Sequence, residues 1–483
     1  MSERNPRPTP IRFGTDGWRA VIARDFTFIN LERVAQAYAD YILQQRAHST
    51  TDDQRQGRQL VIVGFDRRFL SDQFAHRAAE VLAGNNLEVA LFDTDVPTPV
   101  VSWAVRECKA AGGVMITASH NPPEFNGFKI KAAWGGSAPP ETTSAVESLV
   151  DSNAPQRGDV NNDDANLLHN SLASYKKQIA NFVDLEQLRR SAGRIIVDPM
   201  HGAGSRWVES FLRGGNLEVE TIRAERDPLF GGVNPEPIDQ NLAPLKTRVR
   251  ETGALVGLAT DGDADRVGAV NELGQTMTMH EVVPLILLHL ARNRKMIGGV
   301  VRTFSQSVLT KRIAAAHDLP LYDTPIGFKY VADLMLREDI LLGAEESGGI
   351  GVKNHIPERD GILNSLLLLE AVIAAGRTPS EMVREMHREF GEFYFGRRDL
   401  HTEVARGLSL VASLAASPPA KFAGYTVQDV STMDGTKLIF DDESWLLFRQ
   451  SGTEPMLRIY SEATSTEKMQ QLLDGGCAIA HAR

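Results

Sequence analysis

The sequence predicts an α/β fold of several domains, and three observations lead there. Short β-branched apolar runs end in polar or glycine-rich loops, and helical patterns lie between those runs. The length of 483 residues suits about three domains at roughly 150 residues each. Continuous apolar runs of this kind suit strands buried on both faces, with chemistry gathered at their C-terminal ends. The clearest are LVIVGFD (60–66), RIIVDPMHGAG (194–204) and GVVRTFSQS (299–307). Between them, LERVAQAYADYI (31–42) sets Leu31, Val34, Ala35, Tyr38 and Ile42 in one stripe at helical spacing. Strands alternating with helices argue for α/β domains, and the three strand–loop starts hint at one domain used three times.

Polar stretches mark the joints. HSTTDDQRQGRQ (48–59) reads as a loop inside the first domain, and 151–170 begins as a Pro/Asn/Asp-rich connector. A further joint falls near residue 395. Beyond it, the β-like runs GYTVQDVS, SWLLFRQ and LRIYSEA, with a closing helical pattern from Thr466, predict a small α+β domain.

Composition narrows the class. Apolar residues make up 42% of the chain and charged residues 24%, an ordinary globular balance. With 52 Lys+Arg against 62 Asp+Glu, the formal charge is −10, which argues against nucleic acid or an anionic membrane as the main partner. An anionic small substrate stays open, because local basic residues decide that. Cys108 and Cys477 fit neither a metal-ligand spacing nor a disulfide framework, and they suit a reducing compartment. No apolar stretch of signal-peptide length opens the sequence, and none approaches the ~20 residues of a membrane helix. The expectation is a cytoplasmic protein.

Four polar segments carry candidate chemistry. ITASHNPPEFNGFKIK (116–131) follows the β-like GGVMI and presents Ser119 on a loop of small residues, prolines and a glycine. A reactive hydroxyl needs such a place, exposed on rigid backbone. Adjacent Ser119 and His120 invite a hydrolase reading, but sequence neighbours tend to point apart and no G-x-S-x-G elbow is present. A proline-bounded turn closed by Ser119 is the plainer alternative. LATDGDADRVGAVNELG (258–274) alternates Asp261, Asp263 and Asp265, hard oxygen ligands suited to Mg²⁺ or Ca²⁺. Counted from Asp261, an EF-hand loop would end on Glu272, but Arg266 stands where that loop needs glycine and the flanks read as strands.

The other two segments lie further on. LLGAEESGGIG (341–351) joins carboxylates, which accept hydrogen bonds from sugar hydroxyls, to glycines that allow close approach. Taken alone, it reads more simply as a glycine-rich turn with solvated charges. In FRQSGTEPMLRIYSEA (448–463), Arg449, Ser451, Gly452 and Thr453 can offer a guanidinium fork, hydroxyls and free N–H groups to one phosphate, with Arg458 on the next run. A polar hairpin is the alternative, but donor-rich, acceptor-poor chemistry favours an anion site.

From about Ile11 to the C-terminus, the order and spacing of these segments resemble the α-D-phosphohexomutase superfamily. FGTDGWRA (13–20) resembles its N-terminal signature, TASHNP its phosphoserine loop, DGDADR its metal loop, EESGG its sugar-reading loop and RQSGTEP its phosphate clamp. The resemblance implies an α/β fold: three similar α/β domains with mixed sheets plus a smaller α+β C-terminal domain, around a central cleft. The expected domains are 1–160, bearing the phosphoserine; 161–280, binding metal; 281–395, reading the sugar; and 396–483, binding phosphate.

Residue by residue, the resemblance makes Ser119 the phosphorylated serine. It makes Asp261, Asp263 and Asp265 ligands of a Mg²⁺ ion completed by the oxygen on Ser119. Arg19, in a T-x-G-x-R pattern with Thr15, matches an active-site arginine. Lys129 matches a lysine that takes part in proton transfer, given burial or positive charge to lower its pKa. His120, Arg266 and Lys329 (in TPIGFK) match substrate contacts, Glu345 and Ser347 the pair that reads the sugar hydroxyls. The implied substrates are hexose phosphates, with glucose 1,6-bisphosphate as intermediate and activator, in a monomer or homodimer. Dual-specificity members typically carry G-E-M-S-G-H and phosphoglucosamine mutases G-E-Q-S-G-H. Here Ala344, Glu346 and Gly349 depart from both, and EESGG followed by HIPERDG (355–361) looks more like the glucose-selective members. A phosphomannomutase or dual-specificity phosphohexomutase is the alternative within the family, and a metal-dependent sugar phosphatase and a non-catalytic sugar-phosphate or Ca²⁺ sensor are the rival readings outside it.

Overall fold

In the computed structural model, residues 10–14, 16–48, 59–160, 165–451 and 455–482 are described. The chain divides into two compact units. One holds the residues as far as Val270 together with 274–276 and 354–367, and the other holds 271–273, 277–353 and the chain from Leu368 onward. The predicted stripe at 31–42 lies in the helix Phe28–His48, with Leu31, Val34, Ala35 and Tyr38 buried against the first sheet's core. The loop expected over 48–59 falls almost wholly outside the described residues. The connector expected over 151–170 gives way to a helix, Ala165–Phe182, whose Tyr175 and Ile179 are buried. Apolar spacing there outweighs the polar composition that marked a joint.

Three sheets share one strand order. In the first, Glu88–Leu91, Leu60–Phe65, Gly112–Ile116 and Phe125–Ala132 lie side by side, with Trp18–Val21 added at the edge. The second runs Glu218–Thr221, Arg194–Asp198, Val256–Thr260 and Val267–Val270 in the corresponding places. The third runs Leu321–Thr324, Gly299–Thr303, Ile340–Ala344 and Ile350–Val352. In every case the first three strands are parallel and the fourth is antiparallel to the third. The three predicted apolar runs are the second strand in each row, and their near-continuous burial is what a sheet covered on both faces requires. Between the third and fourth strands lies a short polar loop: 117–124, 261–266 and 345–349. These loops carry Ser119, the three aspartates, and Glu345 with Ser347, so three of the four candidate motifs occupy one topological slot.

The fourth sheet is antiparallel throughout: Tyr394–His401, Met456–Ala463, Trp445–Gln450, Thr436–Phe440, Tyr425–Ser431 and Lys421–Phe422. Helices Val404–Ala416 and Thr466–Ala482 cover it through a core of Leu410, Leu414, Phe448, Ile459 and Leu472. This is the predicted α+β tail. Neither Cys108 nor Cys477 is in a disulfide, and among the described residues no single helix is long and apolar enough to cross a membrane.

Within the second unit, one buried carboxylate ties the last sheet to the third. Glu462 accepts from Trp445 Nε1 (2.9 Å) beside it, and from His280 Nδ1 (2.8 Å), Ser307 Oγ and Val308 N (2.8 Å) across the boundary. Burial opposes the charged form, yet His280, Ser307 and Val308 outweigh it and hold the carboxyl down at about 2. Glu462→Gln turns an amide N–H₂ toward two of these donors. It should cost about 3–5 kcal/mol in urea unfolding at neutral pH. Because the folded pKa is depressed, the stabilisation is complete above the ordinary carboxylate range and lost as pH falls toward 2. The gap between wild type and variant should therefore close over that window, and a gap independent of pH would show that the charge of Glu462 is not what stabilises.

Candidate active site

The loop bearing Ser119 is held in a conformation few residues adopt. Ser119 has φ +54°, the left-handed region, where a side chain is strained unless its surroundings fix it. Thr117 Oγ1 accepts from Ser119 N (2.8 Å) and donates to Asp66 Oδ2 (2.6 Å). Arg68, fully buried, donates to the carbonyls of Ser119, Asn121, Pro122 and Phe125 at 2.6–3.0 Å. One guanidinium thus fastens the whole turn. Ser119 Oγ donates to Asp261 Oδ2 at 2.9 Å, and not to its neighbour His120. Burial, reinforced by Arg266 and Arg19, holds the His120 imidazole neutral, well below its ordinary pKa.

Asp261, Asp263 and Asp265 are buried, and their nearest ligand atoms lie within 4.8 Å of one another. Asp261 has both oxygens tied by the protein, and Asp263 and Asp265 have one each. Asp261 Oδ1 accepts from the N–H groups of Asp265 and Arg266 (3.0 and 3.1 Å). Asp263 Oδ2 accepts from Thr98 Oγ1 (2.6 Å) and Lys129 Nζ (2.9 Å). Asp265 Oδ2 faces Lys129 Nζ (3.3 Å) and Arg359 Nη2 (2.9 Å). The other oxygens of Asp263 and Asp265 are buried without a hydrogen bond. Buried acceptors left so are costly, and a hard divalent cation is the group that satisfies them. Burial and the two neighbouring carboxylates push Asp261 well above the usual range, as expected where three acids crowd together. Gly262 lets this loop lie against the serine loop: a Cβ there would stand 2.4 Å from Ser119 O.

Lys129 joins the two loops. Its buried Nζ lies 2.9 Å from Asp16 Oδ2, 2.9 Å from Asp263 and 3.3 Å from Asp265. Burial alone would lower its pKa, but these three carboxylates outweigh burial and raise it. This corrects the expectation of a lowered lysine. Asp16 also faces Arg359 (2.9 Å) and Arg19 (3.7 Å) and accepts from Ser137 Oγ (3.0 Å). Arg19 donates to Asn121 in the serine loop (2.7 Å). Arg266 lies 4.0 Å from Asp261 and 3.5 Å from Glu236. The first unit therefore gathers Ser119, His120, Arg19, Lys129, Arg266 and the three aspartates. Thr15 lies outside the described residues.

The second unit gathers the rest. Glu345 is buried, in a turn closed by Glu345 N to Gly349 O (2.9 Å), with Ser347 half-buried beside it. Glu346 accepts from Arg397 Nη1 at 3.2 Å. Lys329 opens the helix Phe328–Arg337, its Nζ over the Tyr330 ring. Asp434 links that loop to the last sheet, accepting from Ile326 N (2.9 Å) and Arg449 Nε (3.0 Å). Arg449 and Arg458 stand directly opposite on adjacent strands, and Arg397 shares their face of the sheet. Like charges so placed repel, and Asp399, opposite Arg458 on its other side, and Asp434 beside Arg449 offset them. Ser451 follows on this strand's end, while Gly452 and Thr453 lie outside the described residues. Sequence reasoning passed over Asp16, Arg68, Arg359, Arg397 and Asp434. Asp16 and Arg359 stand inside motifs already singled out, FGTDGWRA and HIPERDG, but each of the five also meets partners that come from distant segments.

Models of the phosphoglucomutase/phosphomannomutase family match four successive stretches: α/β/α domain I at 10–157, domain II at 173–274, domain III at 279–390 and the C-terminal domain at 410–475. A phosphoglucomutase/phosphomannomutase of Thermococcus kodakarensis is 32% identical over 96% of this chain and 97% of its own. A phosphoglucosamine mutase of Carboxydothermus hydrogenoformans is 29% identical over 96% and 97%. A solved structure from Thermus thermophilus, provisionally named a phosphomannomutase, superposes with a TM-score of 0.84 at 39% identity, covering 98% of this chain and all of that one. With three like α/β sheets, an antiparallel C-terminal domain and these matches along its length, the chain belongs to the phosphoglucomutase/phosphomannomutase family, and it is a phosphohexomutase.

Proposed function

We propose that this enzyme is a phosphoglucomutase, interconverting glucose 1-phosphate and glucose 6-phosphate through a phosphoserine at Ser119 and a glucose 1,6-bisphosphate intermediate. One observation carries the reading of the reacting centre. Ser119 Oγ lies 2.9 Å from Asp261 in a cluster whose Asp263 and Asp265 each keep one buried oxygen without a donor. Asp261, Asp263 and Asp265, with an oxygen on Ser119, would hold Mg²⁺, which offsets negative charge at the transferring phosphoryl group. Ser119 carries that group to the free hydroxyl of a hexose monophosphate and recovers one from the other position. Arg19 and Arg266 supply positive charge beside it, and His120 stays neutral as a hydrogen-bonding contact. Lys129, held as an ammonium by its acidic neighbours, is set to give a proton to the leaving Ser119 oxygen and to take back the one that the attacking sugar hydroxyl sheds.

Recognition of the rest of the substrate falls to the second unit. Glu345 and Ser347 accept and donate to the sugar hydroxyls, and Lys329 contacts the sugar phosphate. Arg449, Ser451, Gly452, Thr453 and Arg458 bind the phosphate that is not reacting. The glucose preference rests on Ala344, Glu346 and Gly349 in the sugar loop and on TPIGFK, and we place the enzyme in the reducing cytoplasm, which cysteines outside any disulfide suit.

With a trace of glucose 1,6-bisphosphate, the purified enzyme should turn over glucose 1-phosphate faster than mannose 1-phosphate or glucosamine 1-phosphate. Ser119→Ala should lower kcat at least about a thousandfold, with loss of the covalent phosphate seen by intact-protein mass. Equal rates on all three sugars would refute the glucose preference, and an active Ser119→Ala enzyme the phosphoserine.

Excess chelator should stop turnover, and added Mg²⁺ should restore it. Asp263→Asn should raise the Mg²⁺ concentration for half-maximal activity about tenfold or more while the protein stays folded by circular dichroism. Full activity in chelator would remove the metal from the mechanism.

Arg449→Ala should lower kcat/KM by roughly tenfold to a hundredfold, the loss of one charge-assisted bond, and by similar factors for glucose 1-phosphate and glucose 6-phosphate. It should also raise the requirement for glucose 1,6-bisphosphate. Steady-state kinetics in both directions across a bisphosphate titration measure this, and a defect confined to one monophosphate would mean that Arg449 serves one orientation only.

A further inference from the structure

The segment 354–361 stands far along the chain, within the stretch matched to domain III, yet it packs in the first unit against the aspartate loop. Gly361 N donates to Ala264 O (3.0 Å), and a Cβ on Gly361 would stand 2.4 Å from Arg266 O. Buried acids pin the segment on both sides of Arg359. Asp360 accepts from Tyr175 OH (2.8 Å) and faces His355 Nε2 (2.9 Å), and its other oxygen accepts from Ile362 N and Leu363 N. Glu358 accepts from Lys131 Nζ (2.8 Å) and Ser137 Oγ (2.7 Å). The Arg359 guanidinium is aimed in turn. Its Nε lies 3.2 Å from Glu358 Oε1, and its Nη2 lies 2.9 Å from both Asp16 Oδ2 and Asp265 Oδ2.

We propose that Arg359 is a positioning residue of the phosphohexomutase reaction, which turns Asp265 so that its unpartnered oxygen faces the cation and, through Asp16, keeps Lys129 beside the aspartates. The inference rests on the metal reading of Asp261, Asp263 and Asp265. Asp265 can present Oδ1 to a cation only while Oδ2 is engaged, and Arg359 and Lys129 are its partners there. Partners of this kind set ligand orientation, and their removal typically costs ten- to a hundredfold in metal affinity or activity. Lysine at 359 would keep the charge but has no second nitrogen for Glu358 to fix, so its ammonium would not be aimed.

Charge and orientation make opposite predictions, which makes the test decisive. A cation removed from beside three carboxylates should tighten divalent binding if only charge matters. A lost orienting partner should weaken it. Metal-stripped wild type, Arg359→Lys and Arg359→Gln are titrated with Mn²⁺, with free ion followed by electron paramagnetic resonance and folding checked by thermal melting. We expect one Mn²⁺ in wild type and binding about tenfold or more weaker in both variants, with kcat falling further than KM rises. Arg359→Gln binding as tightly as wild type or more tightly overturns the proposal, and so does wild-type affinity in Arg359→Lys. Should Arg359→Gln not fold, Arg359→Lys alone decides. A wild-type protein that takes up no Mn²⁺ is a different outcome, which removes the metal reading itself.

Discussion

Three carboxylates packed side by side out of water must be balanced, and much of the first unit is organised around that balance. Asp261, Asp263 and Asp265 are all fully buried. Uncompensated, such a cluster would cost many kcal/mol or take up protons instead. Lys129 and Arg359 bring positive charge within hydrogen-bond reach, Arg266 stands further off, and backbone N–H groups and Thr98 tie the remaining edges. The compensation is incomplete: two buried oxygens keep no donor, and Asp261 is pushed toward its neutral form. A site balanced short of neutrality is one a divalent cation completes. The balance also explains the rigid Ser119 loop, because a hydroxyl is useful beside such a site only if its backbone cannot swing away, and the buried Arg68 with its four carbonyls prevents that.

The repeated strand order explains how one chain collects several kinds of chemistry. Each of the first three sheets offers the same short loop between its third strand and the antiparallel strand that follows. The slot is the same in each sheet while the residues that fill it differ. One copy carries a hydroxyl, one carries carboxylates, and one carries a buried glutamate with a serine. Much of this was legible in the sequence. A β-branched run ending in glycine and polar residues signals a buried strand and its loop whatever the fold around it, so LVIVGFD, GGVMI and the DGDADR segment were read as they stand. The shared order of the three sheets was not legible beyond a hint, since strand pairing leaves little trace in residues chosen only to be apolar.

What the sequence concealed has one physical cause. Asp16, Arg68, Arg359, Arg397 and Asp434 act through partners far along the chain, and a single charged residue carries no mark of the partner it will meet. Lys129 shows the consequence. Burial was foreseen, and burial alone lowers a lysine; the three carboxylates that reverse the sign come from two other segments. A motif shows which residue types are gathered locally, whereas the sign of a pKa shift depends on charges that only folding brings together.

The loop proposed to read the sugar raises the same issue in the second unit, where the variable position holds an acid whose charge is already engaged. Glu346 pairs with Arg397, and Arg397 is also held by both oxygens of Asp399 and lies over the Tyr460 ring. A methionine or glutamine in place of Glu346 could not form that ion pair, so Arg397 would turn wholly to Asp399 and the loop would lose its tie to the last sheet. The acid therefore does more than alter the polarity next to Glu345. It joins the loop that carries Glu345 and Ser347 to the face that carries Arg449 and Arg458, and Asp434 makes a second tie between Arg449 and the backbone just before Lys329. The groups suited to a sugar's hydroxyls and those suited to its phosphate are thus braced against each other within one compact unit. A substitution at residue 346 should consequently disturb phosphate binding along with sugar choice, because the carboxylate there and the cations on the sheet belong to one charge network.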